Sequence, residues 1–294
     1  MMRRPAPVLL ALLLAPLLVA VPMLSAAGSP AYADAAATAR PGTVREPLVR
    51  STYALVVDQD TDEVLYEKNP VKVSSIASIT KLMTAIVVLE AKLPLDEELV
   101  LGNEDRTSAG WWGSAMHPGV RMTRGEALHL ALMSSENHAA HLLARTYPGG
   151  VEAAVDAMNA RAALIGMADA HFADPTGLSP ENRATAVDLV LLVKAAYAYP
   201  EIREFSTSRE YRLASGRATL RYLNTNHLTS RPDWQIGLQK TGYTDTAGRC
   251  LVLQTVVEGR RVVMVLLDSF GKYSRFADAQ RLRDWLLARE VANH

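Results

Sequence analysis

The chain has 294 residues, 49% of them hydrophobic and 21% charged, enough for a sizeable core in one large domain or two ordinary ones. Its 31 basic and 31 acidic residues cancel, which argues against a nucleic-acid binder, where a basic excess or stripe is expected. One cysteine, Cys250, excludes an internal disulfide, so stability must come from the core.

Residues 1–33 carry Arg3 and Arg4, an apolar stretch from Val8 and "AYA" at 31–33, the layout of an export signal cleaved after Ala33. Pro16 and Pro22 interrupt the apolar run and the small-residue site follows directly, which favours removal over an uncleaved membrane anchor. The arginine pair lacks the rest of a twin-arginine pattern, so general secretion is expected. Residues 34–48 read as a short flexible lead, and 49–294 as the folded domain.

"STYALVVDQDTDEVLYEKN" (51–69) predicts a hairpin around a polar turn at Asp58–Asp62. "SSIASITKLMTAIVVLEA" (74–91) follows as a helix whose apolar run contains one charge, Lys81. Helical spacing continues over 123–146, 151–165 and 185–199, the last started by Thr185 three residues before Asp188. "AGWWGSAMHPGV" and "DPTGLSPEN" read as loops between them. From about 207 the pattern returns to strands, in "REYRLA", "WQIGLQKTG", "RCLVLQTVVEG" and "RRVVMVLLDS", with a tight turn at Glu258-Gly259. "RFADAQRLRDWLLAREV" closes the chain as an amphipathic helix. The order predicts an α+β fold in which early and late strands join in one mixed sheet, with a helical lobe inserted over about 92–205.

Three short motifs occur in order: "SITK" (78–81), "SEN" (135–137) and "KTG" (240–242). A Ser-x-x-Lys arises by chance about once in a chain of this length, so context must decide. Ser78 stands at a helix start, and Lys81 lies three residues on, on the same face. Apolar surroundings disfavour the ammonium form, and a neutral amine beside a hydroxyl is a general base that needs no histidine. The competing reading is a lysine whose stem packs while its head reaches water, but "LMTAIVVL" leaves little route out. "SFGK" (269–272) fails the same test, because a loop there cannot desolvate Lys272. In "LMSSEN" Ser135 can pass a proton and Asn137 can bond a substrate amide, against the plainer reading of a helix cap. In "KTG" Lys240 brings charge, Thr241 a hydroxyl for a carboxylate, and Gly242 close approach of substrate backbone, against a strand merely running into a turn.

Together and in this order the motifs resemble the signature of the penicillin-recognising serine enzymes. "ASITKLMTA", "LMSSEN", "DPTGLS" and "KTGYTDTAG" resemble the low-molecular-mass D-alanyl-D-alanine peptidases, above all their small soluble DD-endopeptidases. The resemblance implies a β-lactamase-like antiparallel sheet flanked by helices. It implies Ser78 as acylated nucleophile, Lys81 as its base and Ser135 as proton relay. Asn137, Lys240, Thr241 and Gly242 would bind substrate, and the N–H groups of Ser78 and Tyr243 would form the oxyanion hole. The implied partners are peptidoglycan peptides and β-lactam antibiotics, met in the periplasm or cell-wall space. A Glu-x-x-Leu-Asn segment of the kind that speeds β-lactamase deacylation is missing, so slow release of penicillin is expected. About fifty residues follow the last motif, too few for the further β-domain and membrane-binding tail of many related carboxypeptidases.

The histidines, His138 and His141 included, lack a matching carboxylate or cysteine set, so no metal or other cofactor is expected. Trp111 and Trp112 suit either a groove for peptide or glycan or plain packing. The final helix is expected to cover a face of the sheet rather than touch membrane.

Overall fold

The computed structural model describes residues 44–107, 114–216 and 218–293. The signal segment and the Trp111-Trp112 pair lie outside the described residues. The chain opens with the expected hairpin, β1 (Ser51–Asp58) and β2 (Val64–Lys68), whose turn is held by the Asp58 carboxylate accepting from the N–H groups of Asp60 and Thr61. After β3 (Ser74–Ser75), a short 3-10 turn (Ala77–Thr80) leads into α1 (Lys81–Glu90). Then come β4 (Glu98–Val100), β5 (Arg121–Thr123), α2 (Arg124–Met133), α3 (Asn137–Arg145), α4 (Gly150–Leu164), β6 (Arg183–Ala184), α5 (Ala186–Tyr197) and α6 (Pro200–Thr207). The last part holds β7 (Glu210–Ser215), β8 (Ala218–Leu223), β9 (Ile236–Thr244), β10 (Gly248–Val257), β11 (Arg260–Ser269) and α7 (Ser274–Asn293).

The early and late strands do join, in the order β2-β1-β11-β10-β9. Every neighbouring pair is antiparallel, so the sheet is not mixed. "REYRLA" lies outside it, because β7 buries Leu213 alone and pairs with β8 in a separate hairpin. The helix expected over 123–146 is two. α2 starts on a capping box, Thr123 with Glu126, and stops where the Ser134 hydroxyl bonds back to the Leu130 carbonyl at 2.8 Å. Ser135 then takes a left-handed φ of 62°, and Glu136 caps α3.

Side chains alternate across the sheet with period two. Leu55, Val57, Val252, Val263, Val265 and Leu267 share one core with α1 and α5. Ala54, Val56, Leu251, Leu253, Met264 and Leu266 pack with Phe276, Leu282, Trp285 and Leu286 of α7, which covers the other face as expected. Both faces being covered is why these strands read as unbroken apolar runs. Asp278 of α7 pins the start of β1, accepting from the N–H groups of Arg50 at 3.0 Å and Ser51 at 2.7 Å.

Cys250 on β10 is fully buried, and burial pushes its thiol up to about 12. It packs as a small apolar residue. Native protein is therefore expected to resist iodoacetamide at mildly alkaline pH and to react once guanidinium unfolds it. Alkylation of the folded protein at a free-thiol rate, followed by mass spectrometry, would contradict this.

Candidate active site

Ser78 sits inside the 3-10 turn and Lys81 begins α1, a refinement of the single helix expected there. In a 3-10 turn residues i and i+3 eclipse, which stacks the lysine over the serine. Lys81 Nζ lies 2.8 Å from Ser78 Oγ, 2.8 Å from Asn137 Oδ1 and 2.5 Å from the Thr176 carbonyl oxygen. Two of these partners are carbonyl oxygens, which only accept, so they occupy two N–H groups of the amine. Its third direction faces the serine hydroxyl. Lys81 is 1% exposed, and burial lowers it from 10.5 to about 7 although Asp174 and Glu136 pull the other way. A deprotonated amine therefore turns its lone pair to Ser78.

The segment "DPTGLSPEN", read from sequence as a loop, forms one wall of this site. Asp174 gathers it: Oδ1 accepts from Thr176 N, Thr176 Oγ1 and Gly177 N, and Oδ2 from Ser179 N at 2.6 Å. Asn182 straps the wall to the serine turn, donating to Thr80 Oγ1 at 3.0 Å while its carbonyl accepts from Ile76 N at 3.0 Å. Thr84 Oγ1 adds a 2.7 Å bond to the Pro175 carbonyl. Two glycines press on the Ala77–Ser78 peptide. A Cβ at Gly177 would stand 2.1 Å from the Ala77 carbonyl oxygen, and one at Gly242 would stand 3.2 Å from Ser78 N. Ala77 itself is left-handed, with φ 47°.

The second and third motifs close the site from the other side. Lys240, fully buried on β9, donates to Ser135 Oγ at 2.8 Å and to the Thr241 carbonyl at 2.9 Å. Burial holds its ammonium well below the usual lysine range, and the nearby charges of Lys81 and Arg275 push the same way. Thr241 Oγ1 meets Thr225 Oγ1 at 2.6 Å, and Thr225 N bonds the Met133 carbonyl just before the serine loop. Thus Ser78, Lys81, Ser135, Asn137, Lys240, Thr241 and Gly242 converge. Tyr243 does so through its backbone, next to Gly242; its ring is half exposed and its hydroxyl donates to Asp245.

Sequence reasoning missed Thr176, Asp174, Asn182 and Thr225. Asp174 had a signal, a carboxylate ahead of a Pro-Thr-Gly turn; a backbone acceptor such as Thr176 has none. The alternative "SFGK" stays outside the site, with Ser269 Oγ 2.6 Å from Ser51 Oγ and Lys272 exposed. His138 and His141 do find carboxylates, Glu136 at 2.8 Å and Asp105 at 3.1 Å, the second supplied from 36 residues away. No group of three metal-ligating side chains occurs among the described residues.

Residues 40–271 match the peptidase S11 family, described as D-alanyl-D-alanine carboxypeptidase. The chain is 46% identical to a D-alanyl-D-alanine endopeptidase of Escherichia coli K12, covering 85% of this chain and 82% of that one. It is 49% identical to a D-alanyl-D-alanine endopeptidase of Pseudomonas aeruginosa, covering 82% and 78%. Among solved structures, the D-alanyl-D-alanine carboxypeptidase of Mycobacterium tuberculosis superposes with a TM-score of 0.76 at 29% identity, over 84% of this chain and 95% of that one. The Streptomyces K15 DD-transpeptidase does so with a TM-score of 0.76 at 25% identity, over 83% and 100%. The fold is that of the DD-peptidases, as the motifs imply, and the chain belongs to the S11 family of serine D-alanyl-D-alanine peptidases.

Proposed function

We propose that the protein is an exported DD-endopeptidase that cuts D-alanyl cross-links between peptidoglycan stem peptides through an acyl-enzyme on Ser78. The observation that carries the chemistry is the buried Lys81 amine, with carbonyl acceptors on two sides and Ser78 Oγ on the third. Ser78 Oγ attacks the D-alanyl carbonyl and its proton passes to Lys81 Nζ. Ser135, bonded to Lys240, relays a proton to the departing amine. Asn137 bonds the substrate amide, and Lys240, Thr241 and Gly242 receive the carboxylate side of the donor peptide. The N–H groups of Ser78 and Tyr243 take the oxyanion, a kind of contact that contributes about 3–4 kcal/mol per donor elsewhere. Water then releases the acyl group; a β-lactam acylates the same serine and leaves slowly. The signal-like residues 1–33 support export, and no described helix is long and apolar enough to cross a membrane.

Endopeptidase is favoured over carboxypeptidase because the relatives at 46% and 49% identity carry that name, whereas a Bacillus subtilis carboxypeptidase shares 29%. Purified cross-linked and uncross-linked muropeptides separate the two activities. Conversion of dimers to monomers is expected; loss of terminal D-Ala with dimers left intact would assign the carboxypeptidase reaction instead.

The pH profile follows from Lys81. Its folded value of about 7 lies below its ordinary 10.5, so the proton-free base is the majority form above about 7 and is titrated away below it. The rate of acylation by a labelled penicillin is expected to fall about tenfold per pH unit on the acid side and to level off above about 7. A flat profile between mildly acidic and neutral pH would remove Lys81 as the base.

A further inference from the structure

The Asp174–Pro180 wall also borders a cavity of about 490 Å³ whose lining includes none of Ser78, Lys81, Ser135, Asn137 or Lys240. Thr176 belongs to both spaces: its carbonyl accepts from Lys81, and the residue also lines the cavity. The volume suits a peptide segment of a few residues. Val151, Leu178 and Pro180 give it apolar walls, and Arg106, His141 and Ser179 add polar groups.

The charge of the cavity decides what it accepts. Asp174 faces it but already receives four N–H and O–H donors from its own turn. Asp105, behind His141, is fully buried and held by Arg145, whose Nε and Nη2 reach its two oxygens at 2.8 and 2.9 Å. Asp105 is thus ion-paired with Arg145, and Asp174 keeps its charge but commits both oxygens to donors of its own turn. Arg106 is exposed at the cavity and has no carboxylate partner among the described residues. A planar guanidinium in that position is matched by a carboxylate.

We propose that this cavity is a subsite for a carboxylate-bearing arm of the cross-linked peptide, with Arg106 as a specificity-determining residue. The inference rests on the endopeptidase reading, since it is the branched substrate that brings a peptide arm beyond the one held at the nucleophile. It also places that arm against Thr176, so an occupied subsite steadies the carbonyl that orients the Lys81 amine.

The test compares cross-linked muropeptide dimers whose free carboxylates are intact or amidated, using wild type, Arg106→Gln and Arg106→Lys, with labelled penicillin as a small acylating control. Wild type is expected to prefer the intact dimer by about three- to tenfold in kcat/KM, chiefly through KM. Arg106→Gln should lower the intact dimer to the level of the amidated one, and Arg106→Lys should keep part of the preference. Penicillin acylation should stay within about twofold for all three, because the antibiotic does not reach the cavity. Equal turnover of both dimers by wild type, or an unchanged preference in Arg106→Gln, overturns the subsite and leaves the endopeptidase reading standing. A wild type that is acylated by penicillin yet cleaves neither dimer overturns both.

Discussion

Lys81→Met is expected to keep the fold and to lose acylation by a factor of about 10⁴ or more. Methionine matches the length of the lysine stem at this 1% exposed position, so packing survives. What disappears is the base facing Ser78 Oγ at 2.8 Å, together with the bonds to Asn137 and the Thr176 carbonyl. Removing the nucleophile by Ser78→Ala should cost a comparable factor. Because the two groups act as one device, the double variant should be no slower than either single one. Mass spectrometry after incubation with a labelled penicillin, beside far-UV circular dichroism for the fold, reads both effects. A Lys81→Met protein acylated within tenfold of the wild-type rate, or an adduct surviving Ser78→Ala, would remove the assignment.

Gly177→Ala carries the largest expected effect on stability. Its Cβ would stand 2.1 Å from the Ala77 carbonyl oxygen and 2.7 Å from Ser78 N, all backbone that cannot swing aside, and Gly177 also sits at φ +84°. Left-handed strain alone costs about 1–2 kcal/mol. With the clash added, a total near 4 kcal/mol is expected, lowering Tm by roughly 8–16 °C for a domain of this size. Relief of the clash must push the Ser78 turn away from the wall, and displacement of about 1 Å at a nucleophile costs about 100-fold in rate. Gly119→Ala is the control, with φ +91° but nothing within 4 Å of its Cβ. It should lose the strain energy alone and none of the acylation rate. Calorimetry and penicillin acylation on both variants decide the matter; a Gly177→Ala protein no less stable than Gly119→Ala would sink it.

The parts of the fold readable in the sequence were those that local chemistry dictates. The polar turn after Asp58, the Thr185–Asp188 cap and the apolar stripe of α7 each leave a pattern within a few residues. The break between α2 and α3 left only the capping residues of "SSEN", which the helical spacing running through "HLALMSSENHAAHLLA" outweighed. The left-handed Ser135 is held by a lysine 105 residues away. The hairpin of β7 and β8 likewise reads as strand without revealing that it stays outside the main sheet. In the site, Ser78, Lys81, Ser135, Asn137 and the KTG residues could be singled out because three individually common motifs occur in one order, the first with its lysine inside an apolar helix. The Thr176 carbonyl was invisible because every residue has one. Asn182 and Thr225 were missed because an amide and a hydroxyl occur too often to mark a site until their partners, Thr80 and Thr241, are beside them.

The pairing of β1 with β11 also sets a timetable. Ser51 lies opposite Ser269, and Asp278 holds the first amides of β1, so a strand made early waits for partners made last. At roughly 5–20 residues per second, that wait is on the order of ten to forty seconds of synthesis. A nascent chain stopped before β9 already contains the nucleophile and its base. It still lacks Lys240, the backbone of Gly242 that braces the Ser78 turn, and three of the five strands of the sheet that shares a core with α1. Under the proposed mechanism the site is therefore complete only once the final fifth of the polypeptide has joined it.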